Sequence, residues 1–129
     1  MYPHLLHIDQ KRGYYQGICT DDFDFIWGLN QYGSNIAVAA GYIFQNKLKI
    51  TYFTIDCSFT ECSSLLFEEW DKFAMIHVLT SIEIYHCLCD DNMKQSLMKY
   101  NYYPSDIKSW DECTDICIVT TIKEFNMQL

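Results

Sequence analysis

The sequence predicts an α+β domain, in which an antiparallel sheet of three to five strands carries two or three helices on one face. A clear hairpin over residues 35–55 places the strands in the N-terminal half. The second half spaces apolar residues in steps of three, four and seven, which is typical of amphipathic helices. The chain has 129 residues, half of them apolar, which is the size of one domain with its own core. We therefore expect residues 1–129 to form a single compact domain.

The N-terminal residues predict short strands. The segment His4–Ile8 is the first, and Tyr14–Cys19 returns antiparallel to it after the turn signal Lys11–Gly13, whose glycine tolerates a positive φ. In residues 22–27 aromatic side chains alternate with acidic ones, which predicts another short strand. A helical turn capped by Thr20 is the alternative for this acidic stretch.

The hairpin of residues 35–55 is the clearest predicted element. Its arms are Ile36–Phe44 and Leu48–Ile55, and Gln45-Asn46-Lys47 supplies a tight turn because asparagine tolerates the left-handed region. A period of two predicts that one face of the second arm lies on a core and the other in water. The two predicted faces are Leu48, Ile50 and Tyr52, and Lys49 and Thr51.

An apolar stripe from Ser64 onwards predicts a helix. Ser63 or Ser64 would cap it, and acidic residues in its early turns suit the helix dipole. The stripe consists of Leu66, Trp70, Phe73, His77, Ile84 and Leu88. The β-branched residues within 76–88 leave a second interpretation open, in which Thr80-Ser81 break the helix and residues 82–85 form a strand.

The C-terminal third predicts two more helices. The first follows Asp90-Asp91 and carries Met93, Leu97 and Met98, and the chain then turns at Pro104. Ser105 would cap the last helix. One face of that helix would hold Ile107, Trp110, Cys113, Cys117, Ile118, Ile122 and Phe125. Residues 115–122 are β-branched enough to form a strand instead.

Composition excludes several classes of function. The formal net charge is −8 with one arginine, Arg12, which disfavours a nucleic-acid partner. No segment approaches the roughly 18–20 apolar residues of a membrane span, so we expect no membrane partner. The first 15 residues do not resemble a signal peptide, and the cysteine count of seven is odd. These two features predict reduced thiols and a cytoplasmic location, whereas the oligomeric state stays open.

No motif for catalysis, metal or cofactor binding is present, so we expect no enzyme, no metal and no cofactor. There is no phosphate loop, GxGxxG or GxSxG pattern. The cysteine pairs Cys57/Cys62, Cys87/Cys89 and Cys113/Cys117 lack the two-residue spacing common in zinc sites. Among the cysteines, Cys62 alone precedes a predicted helix start, a context that stabilises thiolates, but no partner base is identifiable.

Acidic residues gather around aromatic ones in three places, which indicates a surface for a basic protein. The first group is Asp21, Asp22 and Asp24 with Trp27. The second is Glu68, Glu69 and Asp71 with Trp70. The third is Asp111, Glu112 and Asp115 with Trp110.

We therefore predict a small acidic cytoplasmic binding protein, of the immunity or antitoxin type, that inhibits a basic toxin nuclease. One alternative is an acidic secretion-chaperone-like dimer that binds an extended segment of its partner. The other is a small thiol- or zinc-dependent protein or enzyme that uses Cys57, Cys62, Cys87 and Cys89.

Overall fold

The computed structural model describes residues 3–8, 14–16, 18–88, 91–105 and 117–125. Two 3-10 helices, Thr20–Asp22 and Cys57–Cys62, accompany the main elements. In chain order these are β1 His4–His7, β2 Tyr14–Tyr15, β3 Ile18–Cys19, β4 Phe25–Gln31, β5 Ser34–Phe44, β6 Lys47–Ile55, α1 Ser63–Ile76, β7 Ser81–Leu88, α2 Asp91–Lys99, β8 Tyr103–Pro104 and β9 Cys117–Glu124.

Strands dominate the structure. Seven of them form one sheet in the order β1-β4-β5-β6-β7-β9-β8, and β2 and β3 form a separate two-stranded ribbon. All neighbours in the large sheet are antiparallel except β6 and β7, which are parallel and joined through the second 3-10 helix and α1. The predicted fold class is therefore wrong, because the sheet has seven strands and continues into the C-terminal half. The described chain holds two α-helices, which lies within the expected two or three.

The predicted hairpin is present and is longer than expected. Its arms are β5 and β6, and Phe44 pairs with Lys47, so the loop has two residues. Gln45 and Asn46 take φ values of 51° and 63°, as a two-residue turn that matches the strand twist requires.

A β-bulge in β6 corrects the predicted faces of that strand. Ala40 pairs with Tyr52 but the next residue, Gly41, pairs with Ile50, so Thr51 is the extra residue. One extra residue reverses the alternation beyond it. Consequently Tyr52 packs on the face opposite Leu48 and Ile50, and Phe53 takes the place on the helix side that was expected of Tyr52.

The N-terminal pairing also differs from the prediction. The strand at His4–His7 pairs with β4, with Leu6 opposite Gly28, rather than with residues 14–19. The predicted strand in the acidic stretch is β4, which begins at Phe25, and the alternative helical turn is the 3-10 helix that precedes it. The predicted turn Lys11–Gly13 lies outside the described residues.

The helical stripe from Ser64 ends sooner than its period suggested. Leu66, Trp70 and Phe73 are buried on α1, which ends at Ile76. The last two members of the stripe, Ile84 and Leu88, lie in β7. The second interpretation of residues 76–88, a break followed by a strand, is therefore the correct one.

The described residues of the C-terminal third include one of the two expected helices. The predicted short helix is α2, with Met93 and Leu97 buried. Residues 117–124 form β9, paired along its length with β7, so the strand interpretation is correct for this part of 115–122. Residues 106–116, including the predicted cap contact of Ser105 with them, lie outside the described residues.

The sheet has a large core on one face and a small one on the other. The large core joins side chains of α1 and α2 to alternate residues of the central strands, such as Leu48, Ile50, Ile82 and Ile84. The small core is formed by Ile8, Ile18, Ile26, Val38 and Ala40. The small core covers β4 and β5, which leaves the same face of β6 and β7 for a site.

Candidate functional site

The sheet opens between β6 and β7. Their parallel ladder begins at the pair Lys47–Ser81 and ends at Ile50–Ile84. Beyond that pair β6 remains bonded to β5 as far as Ile55, and β7 to β9 as far as Leu88. Within the described residues, the facing edges of β6 and β7 are thus unpaired with each other beyond Ile50 and Ile84. Such edges can accept an extended ligand that hydrogen-bonds as a strand does.

The opening starts at the bulge of β6, and a glycine makes that bulge possible. A Cβ atom on Gly41 would overlap the carbonyl oxygen of Lys49 and lie 3.0 Å from the Cα of Ile50. Only glycine allows the two backbones to come this close. Because a bulge bends the strand that carries it, the extra residue Thr51 accounts for the divergence of β6 from β7 at this point.

A cavity of about 300 Å³ lies beside the opening. The neighbours of Lys49 and Glu83 on their strands are buried under α1 and α2, so alternation turns these two side chains to the opposite face of the sheet. The volume lies at the lower end of the range for small-molecule sites. The cavity is lined by Tyr42, Lys49, Ile50, Thr51, Glu83, Tyr85 and Thr120.

The cavity contains an ion pair and several hydroxyl-bearing side chains. Lys49 Nζ lies 3.3 Å from Glu83 Oε2, and the two side chains are 29% and 27% exposed. They meet because Lys49 and Glu83 are register partners in the parallel ladder. Two residues further along β7, on the same face, Tyr85 is half exposed. The cavity thus offers a carboxylate, an ammonium and the phenols of Tyr42 and Tyr85 to a small polar ligand.

The segment that follows β6 carries acidic rather than basic side chains. Asp56 caps the 3-10 helix Cys57–Cys62, and its carboxylate accepts a hydrogen bond of 2.9 Å from the backbone N–H of Ser58. This 3-10 helix leads directly into α1, and the backbone N–H of Ser63 donates to the carbonyl of Thr60. The backbone N–H groups of Ser58 and Ser63 therefore already have acceptors within this segment.

The environment of Cys62 opposes a nucleophilic thiolate. Burial raises the pKa of the Cys62 thiol, and the neighbouring Glu61 carboxylate raises it further. A reactive cysteine needs the opposite shift. The position of Cys62 before a helix start therefore does not stabilise its thiolate, contrary to what the sequence had suggested. Within the described ranges, no three histidine, cysteine or acidic side chains come together in a way that could hold a metal ion.

The structure describes two of the three predicted acidic groups, and the tryptophan of each is buried. Asp21, Asp22 and Asp24 are exposed next to β4, whereas Trp27 is buried. Trp27 and Trp70 pack edge to face in the core, with ring centroids 5.9 Å apart. The predicted aromatic anchors of two groups are thus structural contacts of each other.

Two carboxylates of the second group, Glu68 and Asp71, bind other side chains of the protein. Tyr100 Oη donates to Glu68 Oε1 over 2.8 Å, and Lys123 Nζ lies 2.7 Å from Asp71 Oδ1. Glu69 is half-buried on α1. The third group, Trp110, Asp111, Glu112 and Asp115, lies outside the described residues. No observation tests whether these twelve residues contact a partner, and that part stays a prediction.

Sequence reasoning missed the cavity residues Lys49, Glu83 and Tyr85. The available signal was a single polar side chain between two buried ones on each strand, as in Leu48-Lys49-Ile50 and Ile82-Glu83-Ile84. Recognising it required the knowledge that residues 82–85 form a strand that pairs in parallel with β6.

No protein-family model and no curated protein sequence matches the chain. Solved structures do resemble it. The IAA acetyltransferase from Bacillus cereus superposes with a TM-score of 0.65 at 10% identity, covering 95% of this chain and 99% of that one. The ribosomal-protein-S18-alanine N-acetyltransferase from Escherichia coli gives 0.64 at 8% identity, covering 99% and 97%. The GNAT family acetyltransferase from Elizabethkingia anophelis, solved with acetyl-CoA bound, gives 0.60 at 10% identity, covering 95% and 98%.

The chain has a GNAT-like fold. At these identities the likeness establishes the fold alone. It nevertheless overturns the predicted inhibitor of a basic toxin nuclease, because the structures that share the whole architecture are acetyltransferases. The expectations of a non-enzyme and of a basic protein partner are wrong for the same reason. No helix in the described part of the chain is long and apolar enough to cross a membrane.

Proposed function

We propose that the chain is an acyltransferase that moves an acyl group from a thioester to an amine. The opening between β6 and β7 would hold the thioester donor, and the adjoining cavity would hold the acceptor. The observation that carries this proposal is the divergence of the parallel pair at the Thr51 bulge, within a fold shared with acetyltransferases.

The unpaired edge of β6 suits the pantetheine arm of a thioester donor. Such an arm contains two amide groups and can pair with a strand edge through N–H and C=O groups. From Thr51 to Asp56 an extended strand advances about 17 Å, which is comparable to the length of an extended pantetheine arm. The arm of coenzyme A therefore fits the described residues, whereas its diphosphate would lie at the acidic segment around Asp56 and does not fit.

Two side chains of the cavity can accept and donate the protons that the reaction moves. In acyl transfer to an ammonium group a C–N bond forms and the C–S bond breaks. The nitrogen loses two protons, the sulfur gains one, and the other passes to solvent. We assign Glu83 to the acceptor amine, because it is the carboxylate of the cavity. We assign Tyr85 to the sulfur side, because it lies at the first position of β7 beyond the last pair with β6.

The acceptor proposed for this cavity is a small amine. A cavity of about 300 Å³ with a carboxylate at Glu83 suits a ligand that carries an ammonium group. The neighbouring Lys49 offsets part of the negative charge of the cavity. We place the activity in the cytoplasm, because Cys19 and Cys62 are free thiols.

The test is an acyl-transfer assay read by mass spectrometry, which avoids interference from the seven cysteines. The protein is incubated with S-acetylpantetheine or acetyl-CoA and a panel of primary amines. Glu83→Gln should lower turnover about 100-fold, the usual effect of losing a general base. Glu124→Gln is the matched control, because Glu124 pairs with Ser81 at the end of the sheet away from the opening. Absence of transfer from either donor to any amine, or equal turnover in the two variants, would refute the proposal.

A further inference from the structure

The segment from Asp56 to Ser64 is the place where the phosphates of a donor would lie. Ligands of open sheets bind beyond the carboxyl ends of parallel strands, and phosphates favour helix N-termini. Here β6 ends at Ile55 and α1 begins at Ser63. A donor whose thioester lies at Thr51 and whose arm follows β6 therefore brings its far end to this segment.

The charge of this segment opposes a phosphate. The chain has no lysine or arginine between Lys49 and Lys72, and this interval contains five acidic residues. Asp56 and Glu61 flank the turn and are exposed. Helix α2 packs against the 3-10 helix, and its first turn adds the exposed Asp91 and the half-buried Lys94. The turn and the first turn of α2 together therefore carry three carboxylates and one lysine.

Five hydrogen-bond donors of the segment are also in use. The N–H of Ser58 binds the Asp56 carboxylate, so an internal anion occupies the position that an external anion would take. The hydroxyl of Ser63 donates to the Thr60 carbonyl over 2.7 Å, and that of Ser64 donates to the Glu61 carbonyl over 3.3 Å. The backbone N–H groups of Phe59 and Ser63 bind the carbonyls of Asp56 and Thr60. A phosphate would have to displace these bonds.

We infer that this chain recognises its acyl donor through the uncharged pantetheine arm and discriminates against donors that carry a diphosphate, with Asp56 and Glu61 as the discriminating residues. The inference rests on the proposed function and narrows its donor class to thioesters without phosphate at the far end of the arm. It follows from the acidic side chains and from the occupied donors of the turn, and Asp56 contributes to both.

The test compares the dissociation constants of acetyl-CoA and S-acetylpantetheine by NMR titration, which detects millimolar binding. We expect S-acetylpantetheine to bind the protein at least as tightly as acetyl-CoA. We also expect added salt to strengthen acetyl-CoA binding, because salt screens repulsion between like charges. A site that binds phosphate would instead bind acetyl-CoA more tightly than S-acetylpantetheine, and added salt would weaken its binding of acetyl-CoA.

Charge-removing variants test the two named residues. Asp56→Asn keeps a good capping oxygen, and Asp56→Asn/Glu61→Gln should raise acetyl-CoA affinity about fivefold at low salt. Glu61→Gln alone should raise it about twofold. The matched control Glu124→Gln removes the same group at the far end of the sheet and should change neither affinity.

The outcomes separate the inference from the proposed function. If acetyl-CoA binds tenfold or more tightly than S-acetylpantetheine, the inference is overturned and the acyltransferase proposal stands. If the two variants leave acetyl-CoA affinity unchanged while S-acetylpantetheine binds, Asp56 and Glu61 are not the discriminating residues and the inference also fails. If neither donor binds, the proposed function falls and the inference falls with it.

Discussion

At Gly41 the backbone of β5 lies so close to β6 that a Cβ would overlap the Lys49 carbonyl oxygen and approach its carbonyl carbon to 2.9 Å. Gly41→Ala should therefore destabilise the protein by about 3 kcal/mol, because two backbones in the centre of the sheet would have to separate. Denaturant unfolding followed by circular dichroism measures the change. Ala40→Gly in the same strand is the control and should cost about 1 kcal/mol. Equal losses in the two variants would show that the bulge tolerates a side chain.

Tyr102 and Tyr100 form a natural pair for measuring the cost of a buried hydroxyl. Tyr102 is buried, and its hydroxyl finds no hydrogen-bond partner in the described part of the chain. Tyr102→Phe should leave stability unchanged or raise it by about 1 kcal/mol, since it removes an unsatisfied group. Tyr100→Phe should lower stability by about 1 kcal/mol, because its hydroxyl binds Glu68. Thermal unfolding of both variants checks the opposite signs, and a loss in Tyr102→Phe would reveal a partner for that hydroxyl.

Tyr100 also predicts how stability depends on pH. Burial raises the pKa of Tyr100 to about 12, with help from the Glu68 and Asp71 carboxylates. A folded pKa above the usual tyrosine value of about 10 means that the folded state holds the proton more tightly. The contribution of Tyr100 to the free energy of unfolding is therefore complete below pH 10 and is lost as the pH rises from 10 through 12. Urea unfolding between pH 9 and pH 12 should show a steeper loss in the native protein than in Tyr100→Phe, and parallel curves would contradict the assignment.

At the scale of the element, both helices end in the same motif with different residues. In α1 the N–H of Leu79 binds the Ala74 carbonyl over 2.9 Å, and Val78 takes a φ of 53°. In α2 the N–H of Tyr102 binds the Leu97 carbonyl, and Asn101 takes a φ of 67°. The motif requires a left-handed residue, which asparagine tolerates and a β-branched residue does not.

Val78→Gly should therefore stabilise the protein by about 1 kcal/mol, because Val78 is exposed and loses strain without losing much burial. Asn101→Gly is the matched control, and its gain should be a few tenths of a kcal/mol. Melting temperatures of the two variants provide the comparison. A larger gain in Asn101→Gly than in Val78→Gly would mean that Val78 is not strained.

Local signals determined which elements the sequence could predict. The hairpin was predictable because its turn residues and its period of two lie within 21 consecutive residues. The stripe beyond Phe73 was ambiguous because its helical spacing and its β-branched residues favour different structures, and pairing with β6 and β9 decides between them. The site needed more than this, because Lys49 and Glu83 meet only through a parallel register that no local pattern encodes.

At the scale of the whole molecule, composition was a poor guide to function. An excess of acid had indicated a basic partner, yet Glu68 and Asp71 bind Tyr100 and Lys123 within the protein. The order of the strands carried the functional information instead, because the opening exists only where an otherwise antiparallel sheet contains one parallel pair. Net charge therefore describes how this protein repels or attracts ligands, such as a diphosphate, but does not identify its chemistry.

The net charge of −8 predicts how the stability of the whole molecule depends on salt. Repulsion among excess carboxylates destabilises a compact chain, and salt screens it. The ion pairs Lys49–Glu83 and Lys123–Asp71 respond in the opposite sense, but such pairs contribute little individually. Raising NaCl from about 20 to about 200 mM at pH 7 should therefore increase the free energy of unfolding by about 0.5–1 kcal/mol. The increase should shrink at pH 5, close to the pI of about 4.7, and an equal increase at both pH values would show that salt acts on burial rather than on charge.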